Sequence, residues 1–194
     1  MNFSNDITLQ NDRVLLRPLL PSDAKGLQAV ALDEDIWRYM VLRINSVAEL
    51  EQWLSTALQA REQQQRYTFA ILDKQTGNLA GSTAFGNISA LDKRLEIGWT
   101  WLGHNYRGSG LNRQCKFLLL SYAFEVLQYE RVELKTDVLN ARSRRAMLKL
   151  GATEEGVLRS HTLMHDGRRR DTVYYSLLRK EWEQVKQTVF ADLF

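Results

Sequence analysis

The stretch Trp99-Thr100-Trp101-Leu102-Gly103-His104-Asn105-Tyr106-Arg107-Gly108-Ser109-Gly110-Leu111-Asn112 carries the residue types with the clearest chemical use in this chain. Alternating apolar residues lead into Gly108 and Gly110, and an apolar stripe at helical spacing follows. The first N–H groups of a helix have no acceptor within it and lie at the positive end of its dipole. With side chains removed at the glycines, a phosphate or pyrophosphate can approach those groups closely. Charge is concentrated in the same region. From Asn105 to Lys149 nine Lys and Arg stand against four Asp and Glu, a surplus of five, while the whole chain is +3, leaving the remainder at −2. A Walker-type loop is excluded because Leu111-Asn112 follows Gly110 where Lys and Ser or Thr are required. A G-x-G-x-x-G dinucleotide turn is excluded because Arg113 occupies the third glycine position.

Short elements must position this turn. Arg13 to Arg17 reads as a strand closed by Pro18. Pro21-Ser22-Asp23 predicts a helix start, with Ser22 or Asp23 as cap and helical character from Ala24 to about Tyr39. Ser46-Val47-Ala48-Glu49 matches a capping box before a helix to about Gln65, with Leu50, Trp53, Leu54, Ala57 and Leu58 inward. The period then falls to 2. Tyr67, Phe69 and Ile71 alternate in a strand, Asp73 to Asn78 is a turn, and Leu79 to Phe85 is a second strand. Arg94 to Leu102 is a third, with Leu95, Ile97, Trp99 and Trp101 expected on one face and Glu96, Gly98 and Thr100 on the other. The helix after the glycine turn carries Leu111, Cys115, Leu118, Leu119, Tyr122, Ala123 and Val126 as its apolar stripe. Arg131 to Val138 is a strand, Asn140 to Leu150 a helix stopped by Gly151, and Gly156–Met164 and Thr172–Leu178 flank a hairpin turn at His165-Asp166-Gly167. The order predicts a mixed α/β (α+β) sheet with helices on both faces.

Length and composition bound the partners. At 194 residues, with 44% hydrophobic and 25% charged, the chain reads as one domain over 1–194 that can bury a core without a staple. One cysteine allows no internal disulfide, and three histidines without metal-ligand spacing predict no metal. A net charge of +3 is too weak to make nucleic acid the default partner. No apolar run has the length of a membrane span, and the Met1 to Asp6 start has no signal-peptide character, so a cytoplasmic setting is expected.

Four segments together carry a family resemblance. Arg107-Gly108-Ser109-Gly110-Leu111-Asn112 resembles the R/Q-x-x-G-x-G/A acetyl-CoA loop of the GNAT superfamily of N-acetyltransferases, with Asn112 in place of the last Gly or Ala. Asn140-Ala141-Arg142-Ser143 and Lys149-Leu150-Gly151-Ala152 are similar to the family's N-x-x-S/A…K-L-G-F segment. Glu96-Ile97-Gly98-Trp99 resembles the E-I-G-Y/W strand of the branch containing the ribosomal-protein alanine and serine acetyltransferases, and the Asp171 to Trp182 stretch is similar to that branch's end. The family-like region spans about 14–182, leaving 183–194 as a tail. The resemblance implies a mostly antiparallel sheet in which a parallel pair, Arg94–Leu102 and Arg131–Val138, splays apart. It also implies pantetheine held by main-chain groups of Trp99, Thr100, Trp101 and Leu102. The pyrophosphate falls to the amides of Arg107, Gly108, Ser109, Gly110, Leu111 and Asn112, with Asn140 and Ser143 contributing.

The implied chemistry is direct attack of a primary amine on acetyl-CoA, without a covalent enzyme intermediate or a metal. The amine must be neutral. Deprotonation at pH 7 costs roughly 4.6 kcal/mol for a lysine amine but only about 1.4 for an α-amine. Glu96 is the expected base, beside Gly98, which is read as leaving room for a ligand. Met147 stands where many relatives carry a tyrosine acid, and Ser143 is the substitute proton donor. Cys115 reads as core, and His104, His161 and His165 as loop or turn residues. Trp37, Trp53, Trp99 and Trp101 are candidates to line the acceptor cleft or to be core, and Arg168-Arg169-Arg170 reads as a solvated hairpin tip. The acceptor is expected to be a protein N-terminus, against the alternatives of a small amine or antibiotic, or a CoA-binding module without turnover. Val189, Phe190, Leu193 and Phe194 could bury themselves in a homodimer or on their own subunit.

Overall fold

Residues 1–193 are described in a computed structural model of the chain. The elements in order are β1 (Leu9–Gln10), β2 (Val14–Pro18), α1 (Ala24–Ala31), α2 (Val47–Glu62), β3 (Arg66–Asp73), β4 (Asn78–Ser89), β5 (Arg94–Leu102), α3 (Leu111–Ser121), β6 (Arg131–Asp137), α4 (Ala141–Lys149), β7 (Thr153–Leu163), β8 (Arg169–Leu178) and α5 (Arg179–Val189). They form one mixed α/β sheet in the order β1-β2-β3-β4-β5-β6-β8-β7. Every pairing is antiparallel except β5 with β6. That parallel pairing holds only for Arg94, Leu95 and Glu96 against Arg131, Val132 and Glu133. Beyond it β5 pairs with β4 alone and β6 with β8 alone, so the two strands part along their carboxyl halves.

Two apolar layers cover the sheet. Phe69, Ile71, Phe85, Leu95, Ile97 and Leu134 pack with Leu111, Cys115 and Leu119 of α3 on one face. On the other, α1 and α2 bury Leu27, Ala31, Leu50, Trp53 and Leu54 against Ala70 and Trp101. Trp101 meets Trp37 and Trp53 at centroid distances of 5.4 and 5.5 Å, so these three indoles are core. Each contributes about 1.5–3 kcal/mol by burial.

Several local expectations are corrected. The first helix ends at Ala31, and only a short 3₁₀ turn at Glu34–Ile36 follows. Asp23 stands at its N-cap position, as expected, but its side chain makes no capping hydrogen bond to the helix. The Asp23 carboxylate instead turns back to accept the Leu20 amide at 2.8 Å and pairs with Arg17. Ser46 does cap α2, accepting the Glu49 amide at 3.2 Å. The α3 helix continues as a π turn over Tyr122–Val126, which rotates the later residues and leaves Val126 exposed. The hairpin arginines are not all solvated: Arg170 is buried, and Arg168 pairs with the buried Asp137. Residues 179–189, expected to straddle the tail boundary, form α5, whose Trp182 and Val185 are buried. Phe190 is fully buried in its own chain, with the partly buried Val189 and Leu193 packed around the same core. Phe194 lies outside the described residues.

The largest correction concerns β5. Ala84 pairs with Gly98 and Ser82 with Trp101, so Thr83 faces two residues, Trp99 and Thr100. Trp99 is the bulge, with φ +51. The extra residue reverses the alternation. Trp101 lies opposite Leu95 and Ile97, while the Thr100 side chain faces α3. The Trp99 ring lies over Gly86, on the Glu96 face, where a Cβ would come within 2.4 Å of it.

Candidate active site

The carboxyl ends of diverging strands leave a crevice, and here it opens onto the glycine turn. The β5 edge facing β6 has no strand partner beyond Glu96, and Arg107 Nε donates to the Leu102 carbonyl at 3.0 Å. Arg107 also reaches Asp33 Oδ2 at 3.4 Å, so its side chain anchors the turn to the 33–36 segment. Burial, with Arg142 of α4 nearby, holds its pKa below the usual value. Basic side chains from the turn and from α4 therefore converge.

The turn itself is built for close approach. Gly108 and Gly110 sit at φ +74 and +85, which other residues adopt only under strain, and a Cβ at either would meet nothing within 4 Å. The Ser109 hydroxyl donates to the Tyr106 carbonyl at 2.8 Å and accepts the Leu111 amide at 3.4 Å. The amides of Gly108, Ser109, Gly110 and Asn112 have no acceptor among the described residues. Four donors at a helix N-terminus facing open space could hold an anion. Asn112 places its side-chain oxygen in a buried position without a donor, while its amide remains in the turn.

Glu96 is 3% exposed and lies on the face opposite α3. Its Oε2 accepts from Asn87 Nδ2 at 2.6 Å and pairs with Lys135 Nζ at 2.9 Å. Lys135 in turn stands over the Tyr174 ring at 5.6 Å. Asn87 and Tyr174 also line an open groove with Gln65, Arg94 and Glu133. The space over Gly98, expected for a ligand, is taken by Glu96 itself, since a Cβ there would lie 2.6 Å from Oε1. Gly98→Ala should therefore swing the carboxylate away and lower kcat by about 100-fold. Steady-state kinetics beside a melting curve separates this from loss of fold.

On α4, Asn140 Oδ1 accepts the Ser143 amide at 3.0 Å, an N-cap. Ser143 and Met147 are both half-buried, and the Ser143 hydroxyl makes no hydrogen bond among the described residues. His161 Nδ1 lies 3.1 Å from Thr172 Oγ1, and burial with nearby Lys135 and Arg170 holds its pKa below the usual value. His165 Nε2 lies 3.3 Å from the Trp37 carbonyl, joining the hairpin to the 33–45 loop. Cys115 is fully buried, and burial pushes its thiol up to about 12, which keeps it an inert core residue.

Sequence reasoning missed one group. Lys116, counted among the nine basic residues of the 105–149 stretch, is 5% exposed and donates to Thr100 Oγ1 at 2.8 Å. Thr100 Oγ1 lies 2.8 Å from Thr83 Oγ1 and 3.3 Å from the Gly98 carbonyl. The available signal was position: Lys116 falls between Cys115 and Leu119 on the inward arc of α3. Burial lowers its pKa from 10.5 to about 8. Between those values the unfolded chain binds the extra proton, so Lys116 makes stability rise with pH across that window. Cys115, raised from 9.0 to about 12, acts in the opposite sense over its own window. Lys116→Met should remove the rising component, read as the difference in urea midpoint between the two proteins from pH 8 to 10.5.

Among the described residues no cluster of His, Cys, Asp and Glu could hold a metal, and no helix is long and apolar enough to cross a membrane. The splayed parallel pair in a mostly antiparallel sheet, with helices around it, is a mixed α/β architecture shared with solved N-acetyltransferases. The family described as Acetyltransferase (GNAT) domain matches residues 13–153, and the chain belongs to this family of N-acetyltransferases. "Putative ribosomal N-acetyltransferase YdaF" of Bacillus subtilis is 36% identical over 110 residues, covering 57% of this chain and 59% of that protein's length. "Uncharacterized N-acetyltransferase p20" of Bacillus licheniformis is 28% identical and covers 90% of this chain and 98% of its own. The crystal structure of a GCN5-related N-acetyltransferase from Brucella melitensis superposes with a TM-score of 0.92 at 29% identity, covering all of this chain and 88% of that one.

Proposed function

We propose that this chain transfers the acetyl group of acetyl-CoA to a primary amine, and that the acceptor is the α-amine of a protein N-terminus. The observation that carries the donor is the set of four free amides around Gly108 and Gly110, with open space in front of them. Those residues fit a diphosphate, and the unpaired β5 edge from Trp99 to Leu102 fits an amide-bearing arm running beside it. Asn140 serves as the helix cap, and Ser143 has a free hydroxyl for the departing sulfur.

The acceptor amine forms its bond to the carbonyl carbon as the carbon–sulfur bond breaks, and Glu96 takes the amine's proton, directly or through one water. A single buried carboxylate suits an amine of pKa near ~8 better than one near ~10.4, which supports an α-amine over a lysine side chain. The Bacillus subtilis relative is named a ribosomal N-acetyltransferase, which supports a protein acceptor. The test is thiol release with peptides beginning in Ser or Ala, set against polyamines and aminoglycosides. Turnover with the peptides is the expected result. Turnover confined to the small amines overturns the acceptor, and saturable CoA binding without turnover on any amine overturns the enzyme reading in favour of a binding module.

A further inference from the structure

Lys116 is a buried ammonium for which the sheet supplies no carboxylate partner. Its bonded neighbour is the Thr100 hydroxyl. The groups acting on its charge are Cys115 on its own helix and Glu96 on β5, and Thr83 of β4 completes the chain of hydroxyls. A buried cation without a salt-bridged partner lowers stability, and an apolar side chain of similar length would remove that loss. The place where the charge is kept is informative. Thr100 directly follows the Trp99 bulge, on the stretch of β5 that has lost its neighbour β6. The Thr100 hydroxyl accepts from Lys116 and can turn its own hydrogen to Thr83 or to the Gly98 carbonyl, and an anion bound along the unpaired β5 edge would offer it a further acceptor. Below about pH 8 Lys116 carries its proton, and a positive charge beside the unpaired β5 edge acts on negative charge that appears there during reaction.

We propose that Lys116, acting through the Thr100 hydroxyl, is a positioning residue that stabilises the sulfur anion released from the donor thioester. In that step the carbon–sulfur bond breaks and its electron pair stays on sulfur. Lys116 keeps its proton, the amine's proton goes to Glu96, and no oxidant or reductant is needed. The inference rests on acetyl-CoA as donor.

The experiment titrates reduced CoA bound to the protein and follows thiolate absorbance in the ultraviolet against pH. In the unmodified protein the bound thiol should ionise on the order of one pH unit below free CoA. Lys116→Met should abolish the shift, Lys116→Arg should keep it, and Thr100→Val should reduce it. A packing role alone would lower the melting temperature in Lys116→Met and leave the thiol shift unchanged, and that result overturns the proposal. Should Lys116→Met fail to fold, Thr100→Val carries the same decision: an undiminished shift overturns the coupling. Absence of CoA binding in the unmodified protein overturns the donor reading itself, whereas tight binding with an unshifted thiol overturns only the role of Lys116.

Discussion

Glu96→Gln is expected to lower kcat by about 100-fold or more while leaving the thermal shift produced by CoA intact. Glutamine keeps the volume and still accepts from Asn87, so the groove retains its shape. What it loses is the ability to take a proton and the charge that pairs with Lys135. Lys135 is partly exposed, so water replaces much of the lost pairing, and the stability change should stay near about 1 kcal/mol. A large kinetic loss with a small stability change is the signature of a base. Unchanged kcat on the best peptide would remove Glu96 from the chemistry and direct attention to His161, whose pKa lies below the usual value in the same region.

Replacing both loop glycines, Gly108→Val with Gly110→Val, is expected to weaken CoA binding by at least about 100-fold in calorimetry, equivalent to about 2.7 kcal/mol. Two effects combine. A branched residue at φ +74 or +85 is strained by roughly 1–2 kcal/mol, so the turn moves. If it does not move, the new side chains occupy the space that the free amides face. Asn112→Ala is the contrasting substitution: it keeps the amide and removes a buried oxygen that has no donor, so affinity should hold and stability should rise by about 1 kcal/mol. Equal affinity in the double valine protein and the parent would defeat the amide seat. A loss in Asn112→Ala as deep as in the double valine would move recognition from the main chain to that side chain.

What the sequence by itself determined is what depends on neighbours in the chain. The change of period from helix to strand near Tyr67, the span of β5, the cap at Asn140 and the positive φ at Gly108 and Gly110 follow from local backbone preference and side-chain spacing. The tertiary structure decided everything that crosses strands. One bulge at Trp99 turned Trp101 away from Ile97 and aimed Thr100 at α3, because a single inserted residue inverts a period of two. Register then brought Asn87 and Lys135 to Glu96 and filled the space above Gly98 with the carboxylate. The burial of Lys116 was hidden for the same reason: whether a lysine lies under a sheet depends on which strand its helix crosses, and that is set by packing between residues far apart in the chain.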